Sequence, residues 1–103
     1  MTLPNGTYGF PDPSIFLSFD NGRYTGVYVT PEGEQQVFVE GHYSVEGDQI
    51  TMTDESGPRA CLETPTATYQ WTFDGTQLSM HPVEDPCDER LSVLNGAVLT
   101  HRS

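Results

Sequence analysis

The stretch VEDPCDER, residues 83–90, places a cysteine, Cys87, among acidic side chains. The charged residues next to it are Glu84, Asp85, Asp88, Glu89 and Arg90. A nucleophilic cysteine reacts as the thiolate, which a nearby cation or a helix N-terminus must stabilise. The neighbouring carboxylates oppose that ionisation, and only Arg90 offsets them. The sequence therefore argues against a catalytic thiol, and we assign no catalytic residue.

Two other chemistries are open to Cys87, metal binding and a disulfide with Cys61. Metal sites favour short fixed spacings such as C-x-x-C, whereas the cysteines and histidines of this chain are scattered. We predict no metal site, with a zinc site assembled in space as the alternative. The cysteines precede and follow one predicted hairpin, so their loops should emerge at the same end of the sheet. We expect a Cys61–Cys87 disulfide, or two reduced structural thiols, since disulfides are uncommon in the cytoplasm.

Two acidic runs, DES at 54–56 and EDPCDE at 84–89, could hold calcium or act as paired acids and bases. A calcium loop needs oxygen ligands at alternate positions around a glycine pivot, and neither run has that pattern. Paired catalytic carboxylates need different environments on two sides of a cleft. We expect both runs to be solvated loops at strand ends, where Asp54 and Ser56 cap turns through side-chain hydrogen bonds.

Length and charge limit the classes of function. The chain has 103 residues, enough for one domain spanning residues 1–103. Its 15 Asp and Glu against 4 Lys and Arg give a formal net charge of −11, which repels phosphate backbones and anionic membranes. We expect no nucleic-acid partner, no membrane partner and no cofactor. The N-terminus lacks the charged and apolar regions of a signal peptide, which predicts a cytoplasmic protein, or a secreted one if the chain is a trimmed form.

The elements that must position these residues are strands. Apolar residues alternate with polar ones at a period of two, and glycine-containing turns separate the runs. The predicted strands are GTYGF, SIFLSF, RYTGVYVT, QQVFVEGHYSV, QITMT, TYQWTF, QLSMHPV, RLSVL and AVLTHR. Asn21-Gly22 predicts a tight hairpin, and Gly41 within the longest run predicts a bend or bulge. No segment has a clear 3.6-residue period, so we expect little helix.

The number and spacing of the strands favour one architecture. About eight short antiparallel strands predict an all-β, up-and-down barrel, because closure removes the unpaired edges that invite aggregation. A flattened β-sandwich is the alternative. A barrel of about eight strands is either filled by its own side chains or holds one small ligand.

The second half of the chain carries phrases of a known family. GHYSVEGDQITMTDESGPRAC and the later YQWTFDGTQLSMHPVEDPCDER resemble the phrases G-x-Y-x-V-x-G-D-x-I-x-x-x-D-E-S-G-P, a following Cys, Y-x-W-x-x-D-G-x-x-L and D-P-C-x-x-R of small bacterial lipocalin-like (calycin-type) proteins. The likeness covers residues 41–90 well and the first 40 in outline. Ala67-Thr68 stands where the family often has glycine before Tyr-x-Trp. The resemblance implies a lipocalin-like barrel with an apolar-ligand cavity, but no settled activity.

Aromatic side chains provide the candidate ligand site. The residues that we assign to it are Tyr24, Tyr28, Tyr43, Tyr69, Trp71 and Arg23. Amphipathic aromatic side chains line many small-molecule cavities, but the same residues could instead form the core. Arg23 and Arg90 could hold a ligand carboxylate or pair with loop acids. Glu40 and His42 share a face, either as a proton-transfer pair or as an exposed pair on the outer wall.

Three functions fit these observations. The first, which we favour, is a binding barrel for a small apolar or aromatic molecule, working as a monomer or weak homodimer. The second is a barrel cyclase or isomerase that holds a natural-product substrate in a reactive pose. The third is a structural or interaction module whose interior is filled by its own side chains. The interior volume separates the third function from the first two, and turnover of a bound ligand separates the second from the first.

Overall fold

The strands form one closed antiparallel sheet. In the computed structural model, which describes residues 3–102, eight strands pair in sequence order, and the last pairs with the first. The strands are β1 (Gly6–Gly9), β2 (Ile15–Asp20), β3 (Arg23–Val29), β4 (Gln35–Glu46), β5 (Gln49–Ser56), β6 (Thr66–Phe73), β7 (Gln77–Glu84) and β8 (Val98–Arg102). A short helix, α1 (Asp88–Leu94), lies between β7 and β8. The predicted up-and-down barrel is confirmed, and the flattened-sandwich alternative is wrong.

Two local sequence signals position the walls as predicted. Asn21 and Gly22, between β2 and β3, have φ values of 48° and 90°, the left-handed conformation that a two-residue hairpin turn needs. Gly41 lies at a β-bulge, because Glu40 pairs with Ser56 while Gly41 pairs with Asp54. A Cβ atom at Gly41 would lie 2.1 Å from the carbonyl oxygen of Thr53. Only glycine therefore allows β4 to pass this close to β5.

Apolar and aromatic side chains fill the barrel interior. The hydrophobic core consists of Leu3, Tyr8, Leu17, Phe19, Tyr24, Ile50, Met52, Ala67, Tyr69, Trp71, Leu78, Met80, Leu94 and Leu99. Their rings pack edge to face, with 5.6 Å between the ring centroids of Tyr8 and Phe19 and 5.0 Å between those of Phe19 and Tyr43. Such pairs add stabilisation beyond the area that they bury. The aromatic residues of the chain thus provide much of its core.

The segment RLSVL, which we predicted as a strand, belongs to helix α1. Cys87 is the N-cap residue, and Asp88 and Glu89 lie in the first turn, where negative charge interacts favourably with the helix dipole. Arg90 and Leu94 are the buried residues of the helix, and their four-residue spacing places them on one face. Seven residues are too few to show a helical period in the sequence, which explains why the strand prediction was wrong. No helix in residues 3–102 is long and apolar enough to cross a membrane.

The two ends of the barrel carry different connections. At one end, the hairpin end, short turns join β2 to β3, β4 to β5 and β6 to β7. At the other end, the loop end, longer connections join β1 to β2, β3 to β4, β5 to β6 and β7 to β8. The β5–β6 connection holds Cys61, and the β7–β8 connection holds Cys87 and α1. Both cysteines that the sequence singles out therefore lie in connections at the loop end.

Candidate functional site

A disulfide bond joins the two longest connections at the loop end. Cys61 and Cys87 are bonded, with 6.3 Å between their Cα atoms and a sequence separation of 26. The bond ties the β5–β6 connection to the start of α1. The predicted disulfide is confirmed, and the alternative of two reduced thiols does not describe this structure.

A buried arginine lies next to the disulfide. The Arg90 guanidinium donates to both carboxylate oxygens of Asp85, at 3.0 and 2.8 Å, and to Oδ2 of Asp54 at 3.2 Å. It also donates to the carbonyl oxygens of Thr64 and Pro65, both at 2.9 Å. These contacts use all five N–H groups that a guanidinium carries. Arg90 therefore links α1 to the end of β5 and to the β5–β6 connection.

Two tyrosines complete the arrangement from inside the barrel. Tyr24 donates its hydroxyl hydrogen to Oδ1 of Asp54 at 2.5 Å, and Tyr69 donates to Oδ2 of Asp85. Burial first, and then the neighbouring carboxylate, raises the pKa of both tyrosines above its ordinary value. Both hydroxyls stay protonated as donors. We call these five residues, Tyr24, Asp54, Tyr69, Asp85 and Arg90, the Arg90 cluster.

The disulfide and the Arg90 cluster share hydrogen bonds. The Cys61 amide donates to Oδ2 of Asp54, and the Cys87 amide donates to Oδ1 of Asp85, each at 2.9 Å. Burial raises the pKa of Asp85, but donors from Arg90, Tyr69 and the Cys87 amide outweigh that effect and hold the pKa below its ordinary value. Asp85 therefore remains a carboxylate, as Arg90 requires.

The prediction that Asp54 and Asp85 are solvated was wrong. We expected both acidic runs to be solvated loops, yet Asp54 is only 5 % exposed and the Asp85 side chain is fully buried. The physical reason is Arg90, whose charge and five donors compensate their removal from water. A signal was present in the D-P-C-x-x-R phrase, which contains Asp85, Cys87 and Arg90. The contact with Asp54, 36 positions away, had no sequence signal.

The predicted ligand residues separate into buried and exposed groups. Tyr24, Tyr69 and Trp71 lie in the core, and the Arg90 cluster brings the two tyrosines together. Tyr43 is partly buried and lines a depression at the hairpin end, whereas Tyr28 is 40 % exposed and lies towards the loop end. Arg23 is outside the barrel. The structure therefore does not join the six residues into one site.

Arg23 belongs to an exposed group of charges on the outer wall. It donates to Glu55 at 2.7 Å, and Glu55 also lies 2.9 Å from Nδ1 of His42. Glu40 and His42 are both exposed, which agrees with the outer-wall alternative, and the charged partner of His42 is Glu55, next to the bulge at Gly41. Hydrogen bonds from His42 and then Arg23 lower the pKa of Glu55. Exposed pairs of this kind stabilise a protein little.

Two depressions on the surface are large enough for a small molecule. The first, which we call the mouth groove, has a volume of about 440 Å³, opens to solvent at the loop end and is lined by Pro13, Ser14, Phe16, Tyr28, Val29, Thr30 and Pro31. The second, of about 380 Å³, lies at the hairpin end. The Arg102 guanidinium carbon lies 4.8 Å from the centroid of the Phe16 ring and so covers one face of it. Aromatic and proline side chains make the mouth groove the more apolar of the two.

The described part of the chain holds no group of three or more His, Cys, Asp or Glu side chains arranged to bind a metal ion. The carboxylates of Asp54 and Asp85 both accept from Arg90.

Comparison with known proteins identifies the fold but not the activity. No protein-family model matches the chain, and no curated protein matches it. Two solved structures are similar over almost their whole length. An uncharacterized protein from Bacteroides eggerthii DSM 20697 has a TM-score of 0.61 and 14 % identity, with 95 % of this chain and 94 % of that chain covered. A lipocalin-like protein from Bacteroides uniformis ATCC 8492 has a TM-score of 0.56 and 14 % identity, with 94 % of this chain and 91 % of that chain covered. The chain therefore has a lipocalin-like β-barrel fold.

Proposed function

We propose that this protein binds a small apolar or aromatic molecule, and that it does so in the mouth groove rather than inside the barrel. The observation that carries the proposal is the combination of a filled interior with an aromatic groove of about 440 Å³ at the barrel mouth. Small-molecule sites usually have volumes of about 300–1,000 Å³ and mostly apolar linings. Phe16, Tyr28 and the prolines at 13 and 31 supply such a lining.

Energetics favour the groove over the interior. A ligand inside the barrel would have to displace Tyr24, Tyr69 or Trp71, each at most 2 % exposed. Removing a large side chain from a packed core costs several kcal/mol, about 3–5 for an aromatic residue. Of the six predicted ligand residues, the proposal keeps Tyr28 as a direct contact. Tyr24, Tyr69 and Trp71 belong to the core of the barrel that presents the groove, Tyr43 packs against that core, and Arg23 has no part in the proposal.

An NMR titration tests the proposal. Indole, a neutral aromatic probe, is added at millimolar concentration to ¹⁵N-labelled protein. We expect saturable shifts of the amides at 14–16 and 28–30, and their loss in Tyr28→Ala. Val98→Ala is the matched control, because Val98 on β8 is as exposed as Tyr28, at 40 % each. Shifts centred on the amides of Tyr69 and Trp71, or none that saturate, would contradict binding in the groove.

Two other functions have weaker support. A structural or interaction module is favoured by the filled interior alone, and it would bind no small molecule in the titration. A cyclase or isomerase needs reactive or positioning groups that face a bound substrate. The buried Arg90 guanidinium donates all five of its N–H groups to other residues of the protein, so none is left to bind a substrate. Turnover of a bound ligand would restore the enzymatic alternative.

The proposal extends to family, partners and location. We propose that the chain belongs with the small bacterial lipocalin-like proteins whose phrases it resembles, as a single domain that is a monomer or weak homodimer without nucleic-acid or membrane partners. Of the two locations considered, cytoplasmic and secreted, the disulfide supports the secreted one, because oxidising compartments maintain such bonds. Native mass spectrometry of protein from its own source tests both the ligand and the oligomeric state.

A further inference from the structure

The two half-cystines and Arg90 donate to the same two oxygen atoms. Oδ2 of Asp54 accepts from the Cys61 amide and from Nη1 of Arg90. Oδ1 of Asp85 accepts from the Cys87 amide and from Nη2 of Arg90. The disulfide thus fixes the separation of the two amides, and the amides fix the carboxylates between which Arg90 lies. A change in the disulfide must alter the geometry of the buried ions.

The buried charges of the Arg90 cluster are stable only while their hydrogen bonds keep good geometry. Two carboxylates and one guanidinium leave one uncompensated negative charge in the Arg90 cluster, which the tyrosine hydroxyls and cysteine amides stabilise. Taking such charges out of water is costly, and hydrogen bonds of good geometry must repay the cost. If the geometry loosens, hydration of the same groups becomes the favourable alternative. We therefore expect a change in the geometry of the Arg90 cluster to open the structure around it to water.

Few other contacts hold the segment that carries Arg90. We call residues 85–96, which connect β7 to β8, the latch segment. Apart from the disulfide and Arg90, its attachments to the barrel include the hydrogen bond from Tyr69 to Asp85, the buried Leu94 side chain and the exposed Arg59–Glu89 pair at 3.1 Å. Exposed pairs contribute little. The eight strands, in contrast, remain hydrogen-bonded around the whole barrel without the latch segment.

We propose that the Cys61–Cys87 disulfide is a redox-controlled latch: when a dithiol reduces it, the latch segment leaves the loop end and water reaches the Arg90 cluster, while the barrel stays closed. Cys87 is partly exposed as a residue, against 8 % for Cys61, so we expect the dithiol to attack the sulfur of Cys87. This inference is independent of the mouth groove and of any ligand.

The redox step balances as a thiol–disulfide exchange. One thiolate of the dithiol attacks Sγ of Cys87, the Cys61–Cys87 bond breaks, and Cys61 leaves as a thiolate that takes up a proton. The second thiolate of the reductant then attacks the mixed disulfide and releases Cys87, which also takes up a proton. The protein gains two electrons and two protons, and the dithiol becomes a disulfide. Reoxidation reverses both steps.

Hydrogen exchange of the full chain, with and without dithiothreitol, tests the latch. We expect amide exchange in residues 57–65 and 85–96 to rise at least about tenfold on reduction, the signature of local opening. Exchange at the hairpin end, including the Trp71 amide bonded to Asp48, should rise at least about tenfold less than exchange at the loop end, because it reports only the overall loss of stability. Removing the reductant and reoxidising the protein should restore the original rates.

Two results would overturn the latch. Unchanged exchange at the loop end on reduction would mean that the Arg90 cluster holds the segment without the disulfide. A uniform increase along the whole chain would mean that reduction only destabilises the barrel globally. Arg59→Gln is the control, because it removes the exposed pair with Glu89 and should leave exchange unchanged in both redox states. A Cys61→Ser, Cys87→Ser double variant, where it folds, should exchange like the reduced protein and ignore dithiothreitol.

Discussion

Arg90 in helix α1 and Asp54 at the end of β5 form a buried ion pair across 36 positions of the sequence. Their side chains are 7 % and 3 % exposed, so both charges are largely removed from solvent. Because Asp85 shares the same guanidinium, the pair belongs to a three-charge group that closes the loop end of the barrel.

Removing the charge of Arg90 should therefore destabilise the folded protein strongly. We expect Arg90→Met to lower the free energy of unfolding by about 3–5 kcal/mol, since it leaves two carboxylates buried without a counter-charge. Arg59→Met, which breaks an exposed pair with Glu89, should cost less than about 1 kcal/mol. Urea denaturation of both variants measures the difference. Equal losses would show that Asp54 and Asp85 are compensated by other groups.

Reduction of the disulfide should destabilise the folded protein. Closing a loop of 26 positions removes conformational entropy from the unfolded chain. In the chain-entropy model this stabilises the folded protein by about 3–4 kcal/mol. We expect a reductant to lower the melting temperature and Cys87→Ser to abolish that sensitivity. Calorimetry with and without reductant makes the measurement. A melting curve that does not move on reduction would contradict this role.

Acid should weaken the loop end below about pH 4. The pKa of Asp85 is lowered in the folded state, so its contribution to stability is complete above the ordinary aspartate pKa of about 3.9 and is lost as the pH falls through the lowered value. We expect the melting temperature of the wild type to fall in that range. Asp85→Asn should be less stable at neutral pH and should show a shallower fall. A parallel fall in both proteins would assign the acid sensitivity to other carboxylates.

Alkali should destabilise the barrel through its buried tyrosines. Burial first, and then the charge of Tyr43, raises the pKa of Tyr8 to about 12. An unfolded tyrosine titrates near pH 10. Between about pH 10 and 12 the unfolded state therefore loses the proton that folded Tyr8 keeps, and the stability of the folded protein falls. We expect the urea midpoint to fall over that interval, and less steeply for Tyr8→Phe. The absorbance of tyrosinate near 295 nm, compared between the wild type and Tyr8→Phe, should show ionisation of Tyr8 coinciding with unfolding; ionisation of Tyr8 in a folded barrel would contradict its burial.

The wall of the barrel could be predicted from the sequence because its causes are local. Alternation fixed which side of each strand faces inward, Asn21-Gly22 set a turn, and Gly41 marked a bulge. The cysteine pair was predictable because a meander returns alternate loops to the same end. Each of these inferences needs only neighbouring residues and the period of the chain.

The Arg90 cluster could not be predicted because its members are brought together by closure. Tyr24 and Asp54 lie 30 positions apart, and Tyr69 and Asp85 lie 16 apart, with no shared local pattern. Whether the interior is hollow or filled depends on how side-chain volumes combine once the strands have closed. Helix α1 was missed for a simpler reason, since two buried residues, Arg90 and Leu94, are too few to define a period.

The pairing of β8 with β1 has a consequence for synthesis on the ribosome. His101 contacts the backbone of Asn5 across 96 positions, so the seam of the barrel joins its first and last strands. A nascent chain can build the intervening hairpins as they emerge, but β1 must wait with one edge unpaired until β8 is released. Contacts of such long range slow folding, and the waiting edge is where chaperones would be needed most.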